Sequence, residues 1–267
     1  MDLNLTLLCL LTFLIHLIGT LAYAVRIAGV RTRRIAMSFA LFNILVLVSR
    51  TSNSFQAPFL AKRVEKALLH PGTHRLLDDF RWLLLATTVA TITGAFLIPT
   101  FQRLFSQAVQ SFQTHRSIPR LLLRACSQGG LCRIQEAARL PARDNLTTLC
   151  LPRNLSSGTM ILNVVAVSLW TVGVFAPLYA AALNPELRVT ASSLSSIVNG
   201  VATILMFVVI DPQLSVMTDD VIEGRGDEAS FRRAIVWLVG SRCAGTLLAQ
   251  ALLVPTASLI VLVAKQL

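Results

Sequence analysis

The sequence predicts an all-α membrane protein with six transmembrane helices. Apolar residues make up 54% of the 267 positions and charged residues 14%, whereas a soluble domain carries about 25% charged residues. Six stretches have the roughly 20 mostly apolar residues that a bilayer-spanning helix needs. Because the bilayer interior offers no water to backbone groups, such uninterrupted runs must be helices. This composition argues against a soluble globule and against a disordered chain.

The predicted spans are, in chain order, residues 3–23, 35–56, 82–100, 159–183, 190–210 and 234–263. No basic residue precedes Arg26, so we expect the first to be a retained span and not a cleaved signal peptide. Asp211 and Pro212 close the fifth, where we expect the helix to stop. Pro255 gives the long sixth span a place to bend. The five cysteines lack paired spacing, so neither a zinc site nor a disulfide framework is indicated.

The distribution of lysine and arginine predicts the orientation. The net charge is +11, an excess that in a membrane protein is typical of cytoplasmic loops and not of nucleic-acid binding. The segments after the first, third and fifth spans carry 15 Lys or Arg residues, whereas the opposite side carries 7. We therefore expect residues 102–157 to be cytoplasmic and both chain ends to lie outside.

These spans divide the chain into a first three-span half (1–101), a basic cytoplasmic loop (102–157) and a second three-span half (158–267). The loop opens with apolar residues at helical spacing between Phe101 and Phe112. This pattern predicts an interfacial amphipathic helix, and the alternative is a helix packed on its neighbours. For the Arg-rich remainder we expect short helices and mobile loops, because prolines and glycines interrupt it.

A comparison of the chain with itself at an offset of 156 residues suggests an internal repeat. Tyr23-Ala24 aligns with Tyr179-Ala180, Asn43 with Asn199, and Pro99 with Pro255. Since each half holds an odd number of spans, the two repeats would be inverted in the membrane, as in many secondary transporters. Chance matching between apolar helices is the alternative.

Polar residues inside the spans are the candidate functional residues, since they are costly in lipid. Arg50 shares a helical stripe with Asn43 and Ser54, and Arg242 shares another with Thr246 and Gln250. Arginine suits a phosphate because its planar fork donates two parallel hydrogen bonds. The predicted substrate-binding set also includes three amides of the second and fifth spans: Asn53, Gln56 and Asn199.

Each candidate has a structural alternative. Arg50 could reach the outer headgroups, and Arg50 and Arg242 could pair with Asp211 or Asp219. His16, Asp211, Asp219 and Asp220 are candidates for coupling or gating; the alternatives are a hydrogen-bonded packing residue for His16, a helix stop at Asp211 and a solvated loop for the other two. No P-loop, zinc-protease, nucleophile-elbow or calcium-loop motif is present. We therefore expect no cofactor, no metal and no enzymatic activity.

At these residues the chain resembles the alternate lipid II flippases of bacteria called Amj. The resembling stretches are residues 16–34 (HLIGTLAYAVRIAGVRTRR), 42–58 (FNILVLVSRTSNSFQAP), 210–224 (IDPQLSVMTDDVIEG) and 237–250 (WLVGSRCAGTLLAQ). They touch both halves and most of the predicted spans, so the resemblance is full-length except for residues 113–154, on which it says nothing. It implies a multi-pass protein of the bacterial cytoplasmic membrane that moves lipid II to the outer leaflet for peptidoglycan synthesis.

The resemblance implies lipid II and membrane lipids as partners, and it assigns no residue a role. Two other functions stay open from the residues alone. One is an intramembrane enzyme acting on a polyprenyl diphosphate, for which His16 is the only base within the spans. The other is a scaffold of the cell-wall machinery, which predicts exposed or fully paired arginines and no cavity. The sequence does not indicate an oligomeric state or an energy source.

Overall fold

The architecture is a bundle of long helices. A computed structural model describes residues 2–69, 76–115, 135–139, 141 and 155–267, and these residues contain no strand. The helices are α1 (Leu3–Thr32), α2 (Ile35–Leu69), α3 (Leu76–His115), α4 (Ser157–Leu183), α5 (Arg188–Ser193), α6 (Ser195–Leu205), α7 (Asp211–Ile222) and α8 (Glu228–Ala264). Six helical segments within these residues are long and apolar enough to cross a membrane. The predicted all-α fold with six spans is therefore confirmed.

Side-chain caps fix where several helices begin. The Asp2 carboxylate accepts from the Leu5 backbone N–H ahead of α1, and Ser156 and Asp227 cap α4 and α8 in the same way. Most of the helices extend beyond the predicted apolar runs, because helical hydrogen bonding continues through polar turns that end a hydropathy window. The α1–α2 corner is tight, with Arg33 in the left-handed conformation at φ 55°.

The fifth span is irregular, and one prediction about it is wrong. A 3-10 turn, Pro185–Leu187, precedes α5, and a π-helical turn, Met206–Ile210, joins α6 to α7. The helix does not stop at Asp211 and Pro212 but continues to Ile222. Pro212 is tolerated because it lies in the first turn of α7, directly after the π turn. Its missing backbone N–H costs little at this position.

Within each half the first and third spans pack together most closely. Helix α1 packs on α3 and then on α2, while α4 packs on α8 and also on the fifth span; α3 against α8 is the largest contact between the halves. Gly94 allows a close approach, since a Cβ there would lie 2.8 Å from Thr20 Cβ. The matching order of packing agrees with an internal repeat. The superposition of Asn43 on Asn199 and of Pro99 on Pro255 stays a prediction.

The apolar run from Phe101 to Phe112 is the end of α3 and not a separate interfacial helix. Phe105 is buried with Ile18, Val25 and Phe42 of the first two helices, which is the alternative interpretation of the pattern. The proposed division at residue 101 consequently falls inside a helix. The short helices and loops expected between there and residue 157 lie mostly outside the described residues.

Candidate functional site

Arg242 is the central feature of the bundle interior. It lies on α8, is only 8% exposed, and its guanidinium faces α1, where a Cβ at Gly19 would be 2.7 Å from Arg242 Nη2. Its Nε has no hydrogen-bond partner among the described residues, and none of their carboxylates forms an ion pair with it. An arginine near the centre of a spanning helix costs about 2.5–3.5 kcal/mol on insertion scales. Its retention there points to a role for the charge.

Other polar groups surround this arginine. His16 on α1 is buried, has an unpartnered Nδ1, and lies within electrostatic range of Arg242. Asn163 on α4 donates from Nδ2 to the Leu238 carbonyl at 3.1 Å and to Ser241 Oγ at 2.6 Å. Thr246, one turn after Arg242, is fully buried and donates within its own helix. The interfaces between α1, α4 and α8 therefore enclose a polar region inside the membrane span.

The predicted stripe on α2 points elsewhere. Asn43, Arg50 and Ser54 are all exposed, as is Asn53, and the Ser54 hydroxyl donates to the Arg50 carbonyl in the same helix. Arg50 forms no ion pair with a described carboxylate, so it does not pair with Asp211 or Asp219. The structure does not bring Arg50 and Arg242 together in one buried site.

Two of the three remaining amide candidates join helices, and the third bonds within its own helix. Gln56 is buried and donates to Thr12 Oγ1 at 2.6 Å, linking α2 to α1. Gln250 donates to the Arg81 carbonyl at 3.0 Å, linking α8 to α3. Asn199 on α6 donates to Ser195 Oγ at 3.3 Å, while its buried Oδ1 has no partner among the described residues. These contacts explain the burial of Gln56 by packing.

The acidic candidates lie towards the predicted cytoplasmic end. Asp211 accepts from Arg26 Nη2 at 3.0 Å, which ties α7 to α1. Asp220 pairs with Arg225 at 2.9 Å, and Asp219 is exposed. The sequence allowed Arg50 or Arg242 as a partner for Asp211. In the structure its partner is Arg26. We call this end, where α1 and α3 finish and α8 begins, the basic end.

A cavity of about 470 Å³ opens at the basic end between α1, α3, α8 and the two residues Arg139 and Pro141. Four arginines from four segments line it: Arg31, Arg103, Arg139 and Arg232. The remaining lining is mostly apolar and comes largely from α3 and α8. We call it the basic cavity. Sequence analysis missed it as a site, because these arginines appeared only as loop charges that set the orientation.

A second, more polar cavity of about 440 Å³ adjoins the first. It shares Arg31 and Arg103 with the basic cavity and adds Ser106, Gln107 and Glu136. One carboxylate pairs with two arginines of the basic cavity. Glu228 accepts from Arg31 Nε at 3.4 Å and also from Arg232. In the part of the chain that the structure describes, no group of three His, Cys, Asp or Glu side chains could hold a metal ion.

Six spans, a buried arginine between the two halves and a cationic cavity at one end define a multi-pass helical membrane protein of the transporter type. Comparison with known proteins gives its family. The family model described as "Amj: Alternate to MurJ" matches residues 11–264, and the chain belongs to this family. It is 37% identical over 248 residues to "Lipid II flippase Amj" of Bacillus subtilis (strain 168), covering 91% of this chain and 90% of that protein. No solved structure matches the chain.

Proposed function

We propose that this protein is a lipid II flippase that moves the undecaprenyl-diphosphate-linked precursor of peptidoglycan from the cytoplasmic to the outer leaflet. The observation that carries the proposal is the similarity to a lipid II flippase along nearly the whole of both chains. The match covers 91% of this chain and 90% of that protein at 37% identity. The protein would thus act in the bacterial cytoplasmic membrane.

The interior supports transport of an anionic headgroup. Arg242 lies where α8 of the second half meets α1 of the first, so a relative movement of the halves would change its surroundings. A buried guanidinium without a carboxylate partner can pair with the diphosphate as the headgroup crosses. His16 and Thr246 line the same region as hydrogen-bonding groups. Arg50, on the exposed face of α2, is proposed as a second phosphate contact outside this interior.

The two other functions are less consistent with the geometry. An enzyme acting on the diphosphate needs a nucleophile or a base beside the arginine. The described groups that interact electrostatically with Arg242 are His16, Tyr23 and Cys243, and none of them is a carboxylate. A scaffold would leave its arginines exposed or paired and would have no cavity. Arg50 matches that expectation, but Arg242 and the basic cavity do not.

Reconstituted vesicles containing fluorescent lipid II test the proposal. With the protein present, a membrane-impermeant quencher added outside should remove nearly all of the fluorescence, because lipid from the inner leaflet reaches the outer one. Protein-free vesicles should retain about half. Chromatography of the recovered lipid then separates the alternatives: a cleaved diphosphate would indicate an enzyme, and intact lipid with retained fluorescence would indicate a scaffold.

A further inference from the structure

Two arginines of the basic cavity, Arg103 and Arg232, are each separated by the same number of residues from an apolar residue that lines the same cavity. On α3, Arg103 lies seven residues beyond Phe96, and on α8, Arg232 lies seven residues before Val239. At 1.5 Å per residue, each helix thus places its charge about 10 Å from an apolar residue nearer the membrane centre. Residue 103 also lies just beyond the predicted end of the third span. The cavity is therefore cationic at headgroup depth and apolar below it.

The apolar wall reaches the surface of the bundle. Phe96 lines the cavity and is 54% exposed, which places part of the wall where acyl or prenyl chains lie. Pro99, Ile235 and Val236 continue this wall between α3 and α8. A ligand with an apolar chain could keep that chain at the bilayer while its charged group entered the cavity.

The adjoining polar cavity extends the site in the opposite direction. Because Arg31 and Arg103 line both cavities, they stand at the junction between an apolar chamber and a polar one. Ser106 and Gln107 supply hydrogen-bonding groups on the polar side. The order from membrane to water is therefore apolar wall, arginines, then hydroxyl and amide groups. The same order is found along a prenyl chain, a diphosphate and a sugar.

We propose that the basic cavity is the cytoplasmic docking site for a prenyl diphosphate bearing a polar headgroup, with the diphosphate held by Arg31 and Arg103 at the junction of the two cavities. Arg139 and Arg232 complete the cationic lining. This assignment rests on the proposed flippase function for the identity of the headgroup. Bidentate guanidinium–phosphate pairs give such a site both charge and geometry.

Glu228 is the internal competitor of the diphosphate. Its carboxylate engages Arg31 and Arg232, so it balances part of the cationic charge while no ligand is bound. An incoming diphosphate exchanges with this carboxylate, and Arg31 and Arg232 turn from Glu228 to the phosphate oxygens. Arg103 has no ion pair with a described carboxylate and is available directly. Among the described residues that line the polar cavity, Glu136 is the acidic one.

Binding of farnesyl diphosphate to the purified full-length protein in detergent tests the site. Arg103→Gln should weaken binding by about tenfold or more, since a charged hydrogen bond contributes roughly 1.5–3 kcal/mol. The matched control is Arg34→Gln, which removes the same charge at the same end from an exposed position outside both cavities and should stay within about twofold. Glu228→Gln should strengthen binding several-fold, because it removes the competitor. A thermal unfolding scan on each variant confirms that it is folded.

Two comparisons identify the ligand group. Farnesyl monophosphate and inorganic pyrophosphate should each bind more weakly than farnesyl diphosphate. The first lacks one phosphate for the arginines, and the second lacks the prenyl chain for the apolar wall. Equal losses for Arg103→Gln and Arg34→Gln, or weaker binding in Glu228→Gln, would overturn the assignment. If wild-type protein transports lipid II but binds no prenyl diphosphate, the docking site is wrong and the flippase proposal stands. If it binds the diphosphate as described but transports no lipid II, the docking site stands and the flippase proposal is wrong.

Discussion

The guanidinium of Arg242 on α8 lies so close to Gly19 on α1 that a Cβ at position 19 would be 2.7 Å from Nη2. Glycine at this position is what allows a charged side chain to fit between the two halves of the protein. The flexible end of the arginine, and not a fixed backbone atom, makes the contact. A methyl group there would consequently displace the charge without separating the helices.

Gly19→Ala is therefore expected to reduce lipid II transport while changing the melting temperature little. The matched control is Gly200→Ala, since a Cβ at Gly200 meets nothing within 4 Å, and this variant should transport normally. Quencher-accessible lipid II in vesicles measures the rate, and a thermal scan measures stability. Normal transport by Gly19→Ala would mean that the position of Arg242 does not matter.

Conservative replacement tests the role of Arg50. Arg50→Lys keeps the charge but loses the planar fork, so transport should fall partly, and Arg50→Gln should abolish it. The reason is that neither Asn43 nor Ser54 on the same stripe can replace a charge at a phosphate. Transport at equal protein levels is the measurement. Undiminished transport by Arg50→Gln would leave Arg50 as a residue of the exposed face only.

The close contact between α4 and α8 depends on Gly245. A Cβ there would lie 2.8 Å from the Val164 carbonyl oxygen and 2.9 Å from Val167 Cβ, and neither can move alone. Gly245→Ala should lower the free energy of unfolding by about 1–3 kcal/mol, as overpacked cores do. Gly240→Ala on the same helix, with nothing within 4 Å, should not lower it. Equal stability of the two variants would contradict this packing.

The cap of α8 makes stability depend on pH in the acidic range. Hydrogen bonds from the backbone N–H groups of Ala229 and Ser230 lower the pKa of the Asp227 carboxyl below its usual 3.8. A lowered pKa in the folded state stabilises above the unfolded pKa, and that contribution is lost as pH falls through the folded pKa. Asp227→Ala should melt at a lower temperature at neutral pH. Asp227→Asn, which keeps an acceptor, should lose less, and its melting temperature should vary less with pH below about 4.

The orientation can be checked by labelling single cysteines in intact cells. A membrane-impermeant maleimide should not modify Gly130→Cys or Arg225→Cys, since both positions are predicted to be cytoplasmic, but it should modify Glu186→Cys at the opposite end. Glu186 and Arg225 are both exposed. A difference in their labelling therefore reports the side of the membrane on which each lies. Labelling of position 130 or 225 and protection of position 186 would reverse the orientation.

The fold was predictable because span number follows from the length of apolar runs, a property of the sequence itself. The helix ends were less predictable. Helix α3 continues past Thr100 to His115, because the apolar side chains beyond Thr100 are covered by α1 and α2 and not by lipid. For the site, helical spacing places Asn43, Arg50 and Ser54 on one face but does not say where that face points. Arg31, Arg103, Arg139 and Arg232 come from separate segments, and only the tertiary structure brings them together.

The π turn at Met206–Ile210 acts as a phase shift in the fifth span. An i→i+5 turn accommodates about one more residue than the helix on either side, so every side chain after it is rotated relative to those before it. At 3.6 residues per turn, one residue corresponds to about 100°. Asp211 follows this turn directly, and its carboxylate meets Arg26. A chain shorter by one residue here would turn α7 by about a quarter of a revolution, leaving Arg26 without its counter-ion.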